Sequence, residues 1–512
     1  MKSQFSLPIV NRRQMLKGTA ATAALWASRG GAFRAAAANL SATTGNQPYP
    51  AGSITQIPMT ISNTITGGKV GDGFAGLAYP KELMLGTLFT GWDQSLVKVF
   101  KLLGTSLLRV GGSTTDTCIW TPNGPGGQSG KVAPADVENL AAFLNATGWK
   151  CIYGINLAGA ATGATNTKLA AEEAAFVSKT LGSSLQSFEL GNEPDLYGNP
   201  GNPFANDDWS LSKFLTLWEE YRSAVVKAAP GVALSGPACA GNPTTWVVPF
   251  AQAVGNQKID MLTDHYYVAA ATASDATVEE LLNVGLHHDV LRELAALKGG
   301  ADQIGVPFRM NECGDFFSSN PNPPEPNIEG SYAAALWCLD YMSMCAQGGA
   351  QGVNFESGGP SASYVPIINE SDYVSGIAPL FYGIKLFTMA GTGTCITSDI
   401  SAGSMNVTGY ALHRTQGGFS VIILNKNYSG NAQMQITFPI DIVSATLTEM
   451  TQRSSGATTA NVLAQSGVTI QGSGITTGGG FSPAAAYHLT PDGTKVTCYV
   501  PPMSAVLIEA ND

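Results

Sequence analysis

Between about residues 70 and 388, short apolar runs alternate with longer stretches whose apolar residues recur at helical spacing. Eight short runs stand out: GFAGLAYP (73–80), SLLRVGG (106–112), CIYGINL (151–157), SFELGNEP (187–194), VALSGPA (232–238), MLTDHYY (261–267), FRMNECG (308–314) and GVNFESG (352–358). Between them, segments such as PADVENLAAFLNATG, WSLSKFLTLWEEYRSAVVKAA and SYAAALWCLDYMSMCAQ put their apolar side chains on one face of a 3.6-residue period. Strand and helix in repetition imply parallel pairing with helical crossovers, and eight repeats predict an α/β fold, a (β/α)8 TIM barrel, over residues 69–388. From residue 389 the helical spacing stops. ALHRT, FSVIILN, MQITFP, SATLTEMT and VTCYVPPMSAVLIEA are short, alternating and rich in β-branched residues, which predicts an all-β sandwich over 389–512. In the segment 39–68, the strand-like ITQIPMTI (54–61) stands alone and is expected to join that sandwich across the intervening barrel.

Composition narrows the possibilities. A hydrophobic content of 44% over 512 residues is enough for real cores, so disorder is excluded. The formal net charge is −10 with only 27 Lys and Arg, and no basic cluster lies beyond the extreme N-terminus, so a nucleic-acid partner is not expected. That N-terminus, NRRQMLKGTAATAALWA, sets Arg12 and Arg13 ahead of an Ala-rich run, with small residues at Ala35 to Ala38. Residues 1–38 therefore read as a twin-arginine signal peptide of a bacterial protein, and a periplasmic or secreted location follows. No later apolar run approaches the roughly 20 residues that span a bilayer, so no membrane association is expected after cleavage. The 8 cysteines show no CxxC pair and no zinc-like Cys/His spacing, and pairing of Cys395 with Cys498 stays open.

Several barrel strands end in polar groups at the edge where barrel enzymes build their sites: Arg109 on the second, Asn192 and Glu193 on the fourth, Asp264 to Tyr267 on the sixth, Asn311 and Glu312 on the seventh, Glu356 on the eighth. Two carboxyl groups across a barrel mouth suit glycoside hydrolysis, in which one protonated acid releases the leaving oxygen and one ionised group attacks or activates water. Glu193 and Glu312 are the candidates, as acid/base and nucleophile. Arg109, which must find an anion, can hold a nearby carboxylate ionised, and Tyr266 or Tyr267 can donate a phenolic hydrogen bond to it. Tyr197 and Trp209 can supply an apolar wall beside the acid. Glu189, in phase with Glu193, competes for Arg109 as an interior partner. Asn192 is placed to bond a sugar 2-hydroxyl. Adjacent residues on a helix diverge in direction, so His287, His288 and Asp289 read as a surface cluster and no metal is required. Trp120 and Trp246 can be sugar platforms or core.

FELGNEPD, DHYY, the Asn-Glu pair of the seventh strand and LGTSLLRVGGSTTDTCIW together resemble glycoside hydrolase family 79, which contains heparanases and β-glucuronidases. The resemblance covers the barrel and, more loosely, the β-rich tail through VPPMSAVLIEA. It implies a retaining two-glutamate mechanism through Glu193 and Glu312, no cofactor, Tyr266 on the nucleophile, and Asn192 and Ser113 on sugar hydroxyls. It also implies a β-glucuronide substrate within an oligo- or polysaccharide. One position departs from the family: CGDFFSSN puts Phe317 where a uronate-binding tyrosine is common. Tyr364, or backbone amides around Ser318 and Ser319, can restore a donor, whereas Glu356 would repel a carboxylate unless paired or protonated. Two alternatives follow: an exo-glycosidase acting on a neutral sugar, and a carbohydrate-binding protein without catalysis.

Overall fold

The computed structural model describes residues 45–512 apart from 206–207, 271–275, 318–327, 360–363, 371 and 453–460, and omits the side chains of 284–288. Arg12, Arg13 and Ala35 to Ala38, the amides at Ser318 and Ser319, and the side chains of His287 and His288 lie outside the described residues.

All eight apolar runs are strands: β1 (Ala75–Pro80), β2 (Leu107–Gly111), β3 (Lys150–Ile155), β4 (Leu185–Leu190), β5 (Leu234–Cys239), β6 (Met261–Ala270), β7 (Phe308–Phe317) and β8 (Val353–Glu356). Each pairs in parallel with its neighbours in chain order, and β8 returns to β1, so the barrel is closed. A helix follows every strand, from Gln94–Lys101 after β1 to Pro379–Met389 after β8. Asp93 and Asn166 cap two of these helices by accepting from the first free amides, and Gly148 ends a third with left-handed geometry. Helix Tyr332–Gln347 carries no polar stripe and is buried along nearly its whole length, because it packs between barrel and tail.

The remaining long strands form a second sheet. β9 (Gly393–Ile400), β10 (Val407–Arg414), β11 (Phe419–Asn425), β12 (Asn431–Thr437), β13 (Ser444–Thr451), β14 (Lys495–Val500) and β15 (Ser504–Asn511) join the early strand Ile54–Val70. That early strand runs antiparallel to β9 and parallel to β12, with Ile54 opposite Asn431. The two ends of the sheet share one core, with Leu447 of β13 and Ile508 of β15 in the same cluster as Met434 of β12 and Val496 of β14, so the sheet closes into a sandwich. Barrel and sandwich are clamped by Asp340 of the long buried helix, which accepts hydrogen bonds from Thr408 and Tyr410 and pairs with Lys426 at 2.6 Å. All eight cysteines are buried thiols, Cys395 and Cys498 included. No helix among the described residues is long and apolar enough to cross a membrane.

Candidate active site

The period of two along a strand decides which side chains enter the barrel. On β6 it sends Thr263, His265 and Tyr267 inward, where each meets a glutamate: Thr263 Oγ1 donates to Glu189 at 3.3 Å, His265 Nδ1 lies 3.1 Å from Glu193, and the Tyr267 hydroxyl donates to Glu312 at 3.0 Å. On β7 strict alternation would send Asn311 and Glu312 to opposite faces. A bulge intervenes, since Met310 faces Asp264 and Glu312 faces His265, the very next residue of β6. Both side chains therefore turn to the interior, Asn311 donating to Glu189 and Glu312 reaching the mouth.

Arg109 ties the site together from below. Fully buried on β2, it binds Glu189 at 2.7 Å, Glu312 at 2.6 Å and the Asn192 amide oxygen at 2.8 Å. The two pairings that competed at the sequence level are thus made by one guanidinium. Gly111, the next inward residue, leaves room for it, because a Cβ there would stand 2.6 Å from the guanidinium carbon. Burial works to lower the arginine pKa, but Glu189 and Glu312 outweigh it and hold the group above its usual value.

Glu193 is held differently. It is half-buried, sits just past β4 with left-handed backbone angles of φ 51° and ψ 54°, and its amide donates to Ala238 O at 2.8 Å. His265 is the polar contact to its carboxylate, and the same ring nitrogen is 4.0 Å from Glu312. Donor atoms of Glu193, His265 and Glu312 all lie within 4.8 Å of one another. Such a trio could hold a cation, yet both oxygens of Glu312 are already engaged, by Arg109 and Tyr267, and the adjacent guanidinium disfavours a second positive charge. Tyr197 and Trp209 brace the turn through hydrogen bonds to Asp116 at 2.6 Å and to Pro194 O at 2.7 Å.

One expected contact is corrected. Tyr266, assigned to the nucleophile by resemblance, points out of the barrel and stacks on Tyr341 at 4.9 Å, because its neighbours on β6 take the inward phase. Tyr267 makes the contact instead. Its ring is clasped edge-on by Phe317 at 5.8 Å and by Tyr364 at 6.1 Å, so both of those residues border the site. Ser113 is exposed on the rim just after Gly112, whose Cβ position is 3.8 Å from both Glu312 and Glu356. Glu356 thus adds a further buried carboxyl group close to Glu312. Trp120 packs on Phe176 and Trp246 on Phe214. His265 lies within the Asp264 to Tyr267 edge of the sixth strand but is given no role of its own by sequence, although it stands two residues before Tyr267 on the same face.

No protein-family model matches the chain. Over 273 residues it is 25% identical to a β-glucuronidase of Aspergillus niger, covering 47% of this chain and 48% of that one. Over 323 residues it is 23% identical to a β-glucuronidase of Neurospora crassa, covering 55% and 56%. The likeness in sequence is to β-glucuronidases. It agrees with the family resemblance carried by FELGNEPD and the β2 segment, and the chain spans about half the length of the curated relatives it matches. Among solved structures, a 4-O-α-L-rhamnosyl-β-D-glucuronidase from Fusarium oxysporum superposes with a TM-score of 0.71 at 15% identity, covering 89% of this chain and 100% of that one. An arabinofuranosidase from Xanthomonas axonopodis pv. citri gives 0.63 at 14% identity, covering 89% and 100%. The fold is shared by proteins whose names point to acidic and to neutral sugars alike.

Proposed function

We propose that the chain is a retaining glycoside hydrolase acting on β-linked glycans, with Glu312 as nucleophile and Glu193 as acid/base. The observation that carries this is the approach of the two carboxylates: their nearest oxygens are within 4.8 Å at the C-terminal mouth of the barrel. Retaining enzymes keep the pair about 5–5.5 Å apart, whereas inverting ones need about 6.5–9.5 Å to admit water.

Glu312, paired with Arg109 and Tyr267, is kept as an anion facing the anomeric carbon. It attacks that carbon as the bond to the leaving oxygen breaks, and Glu193 gives its proton to that oxygen. The resulting glycosyl ester on Glu312 is cleaved by water, whose proton passes to Glu193 as the sugar leaves with its original anomeric configuration. Asn192, fixed by Arg109, is set to bond the 2-hydroxyl. No step calls for a cofactor.

The leading substrate is a β-glucuronide in an oligo- or polysaccharide. The names of the sequence relatives support it, and Tyr364 offers a phenol near the place that Phe317 leaves without one. A neutral β-glycoside is the second reading, favoured by Glu356, a buried carboxylate at the nucleophile's side. A panel of nitrophenyl glycosides separates the two: hydrolysis of a neutral glycoside without the glucuronide overturns the first. Glu193→Gln and Glu312→Gln should each abolish nearly all turnover; wild-type rates in either would overturn the catalytic assignment, and no turnover of any glycoside by the wild type would leave a binding protein. The Arg12–Arg13 pair supports export by the twin-arginine route, checked by sequencing the N-terminus of the chain recovered outside the cytoplasm.

A further inference from the structure

Glu193 occupies a left-handed backbone conformation that L residues rarely adopt, so its turn is held in place by its surroundings. Part of the hold comes from Ala238 O on one side. On the other stands Asp116, from the turn Ser113–Asp116 that follows β2. One oxygen of Asp116 accepts from the backbone amides of Leu157 at 3.1 Å and Ala158 at 3.0 Å, just beyond β3. The other accepts from the Asn192 amide at 3.1 Å and from the Tyr197 hydroxyl at 2.6 Å, and that hydroxyl also accepts from the Asn192 amide at 3.2 Å. The fit is close: Gly191 has φ 81°, and a Cβ on it would collide with the Tyr197 hydroxyl. One carboxylate thereby locks the loops after β2, β3 and β4 against the backbone immediately preceding Glu193.

We propose that Asp116, acting through the Asn192 amide and Tyr197, is a positioning residue that sets where the Glu193 carboxyl stands relative to the leaving oxygen. The inference rests on the hydrolase reading above and extends it beyond the residues that would touch sugar. A carboxylate suits the task because all four of its partners are donors, and four acceptor sites is what an ionised Asp offers. Asparagine at 116 keeps the size but can accept on one side only, which leaves its NH2 facing a donor on the other. Misplacing a reacting group by about 1 Å costs on the order of 10²-fold.

The test is the dependence of kcat/KM on the leaving group, measured with a series of aryl glycosides of the sugar that the wild type turns over. Phenols that leave unaided need no acid; those that leave poorly need Glu193. Asp116→Asn should lose roughly 10–100-fold on the poorest leaving groups and far less on the best, steepening the plot of log kcat/KM against phenol pKa. Tyr197→Phe, which removes one hydroxyl and keeps the other three bonds, should steepen it in the same sense by less, and it carries the test where Asp116→Asn does not fold. A slope equal to that of the wild type in the folded variants overturns the inference, because general loss of structure lowers every point alike. The hydrolase reading is judged separately, by wild-type turnover and its loss in Glu193→Gln; absence of wild-type turnover removes both.

Discussion

Replacing Arg109 by methionine tests the electrostatic frame of the site most directly. The guanidinium is fully buried and touches Glu312 at 2.6 Å, Glu189 at 2.7 Å and Asn192 at 2.8 Å. Removing one member of a buried charge pair costs about 3–5 kcal/mol, since the partner stays desolvated without its counter-charge, and melting should fall by roughly 3–7 °C. Two of the three contacts go to Glu312 and Asn192, the groups proposed above to meet the sugar. At about 1.5–3 kcal/mol for each charge-assisted bond, kcat/KM should drop roughly 10²–10⁴-fold at neutral pH. The sign of the pH effect follows from the charge: without the cation, protonation of Glu312 becomes easier, so the acidic limb of the kcat/KM profile moves to higher pH and the alkaline limb stays. Thermal unfolding and pH–rate profiles on the substrate found in the glycoside panel give both readings. Glu189→Gln is the control, expected to lose stability without moving the acidic limb to higher pH. An Arg109→Met enzyme with unchanged melting and an unmoved acidic limb would refute the reasoning.

Three further outcomes are expected. Tyr267→Phe should lower kcat/KM about tenfold or more through the lost bond to Glu312, whereas Tyr266→Phe should leave it within about threefold; equal effects would return the contact to Tyr266. Burial raises Asp315 to about 7, against a hydrogen bond from the Gly330 amide at 2.7 Å. The folded chain then keeps a proton that the unfolded chain releases near 4, so stability falls as pH rises from about 4 to 7. Asp315→Asn should gain melting temperature relative to wild type at pH 8 and not at pH 4; a gain equal at both values rules this out. Lys426→Met strips Asp340 of its buried partner at 2.6 Å and should destabilise by about 3–5 kcal/mol in denaturant unfolding, while a neutral result would show that the clamp between barrel and sandwich contributes nothing.

Much of this architecture was written in periodicity. The eight apolar runs gave eight strands because burial on both faces demands continuous apolar sequence, and the carboxylates at the ends of β4 and β7 stood out against it. The same alternation, applied to DHYY, would have chosen Tyr267 over Tyr266 and brought in His265; resemblance led to the wrong tyrosine where phase alone sufficed. The bulge at Asn311 was beyond reach, because it depends on how β7 meets both of its neighbours and not on its own residues. Asp116 was equally hidden. Nothing local distinguishes an Asp in STTDT that caps its own turn from one whose four bonds reach residues 41 to 81 positions away.

The early strand Ile54–Val70 bears on how the chain is made. The first of its two partners, β9, begins only at Gly393, so at ribosomal speeds of about 5–20 residues per second it waits tens of seconds before a mate exists. Throughout that interval the barrel emerges and can close, while an unpaired apolar ribbon stays open to chaperones and to neighbouring nascent chains. Biosynthesis of this protein is therefore completed only by a late threading of its beginning into its end, and a fragment stopped after the barrel would carry a sticky edge that the finished molecule never displays.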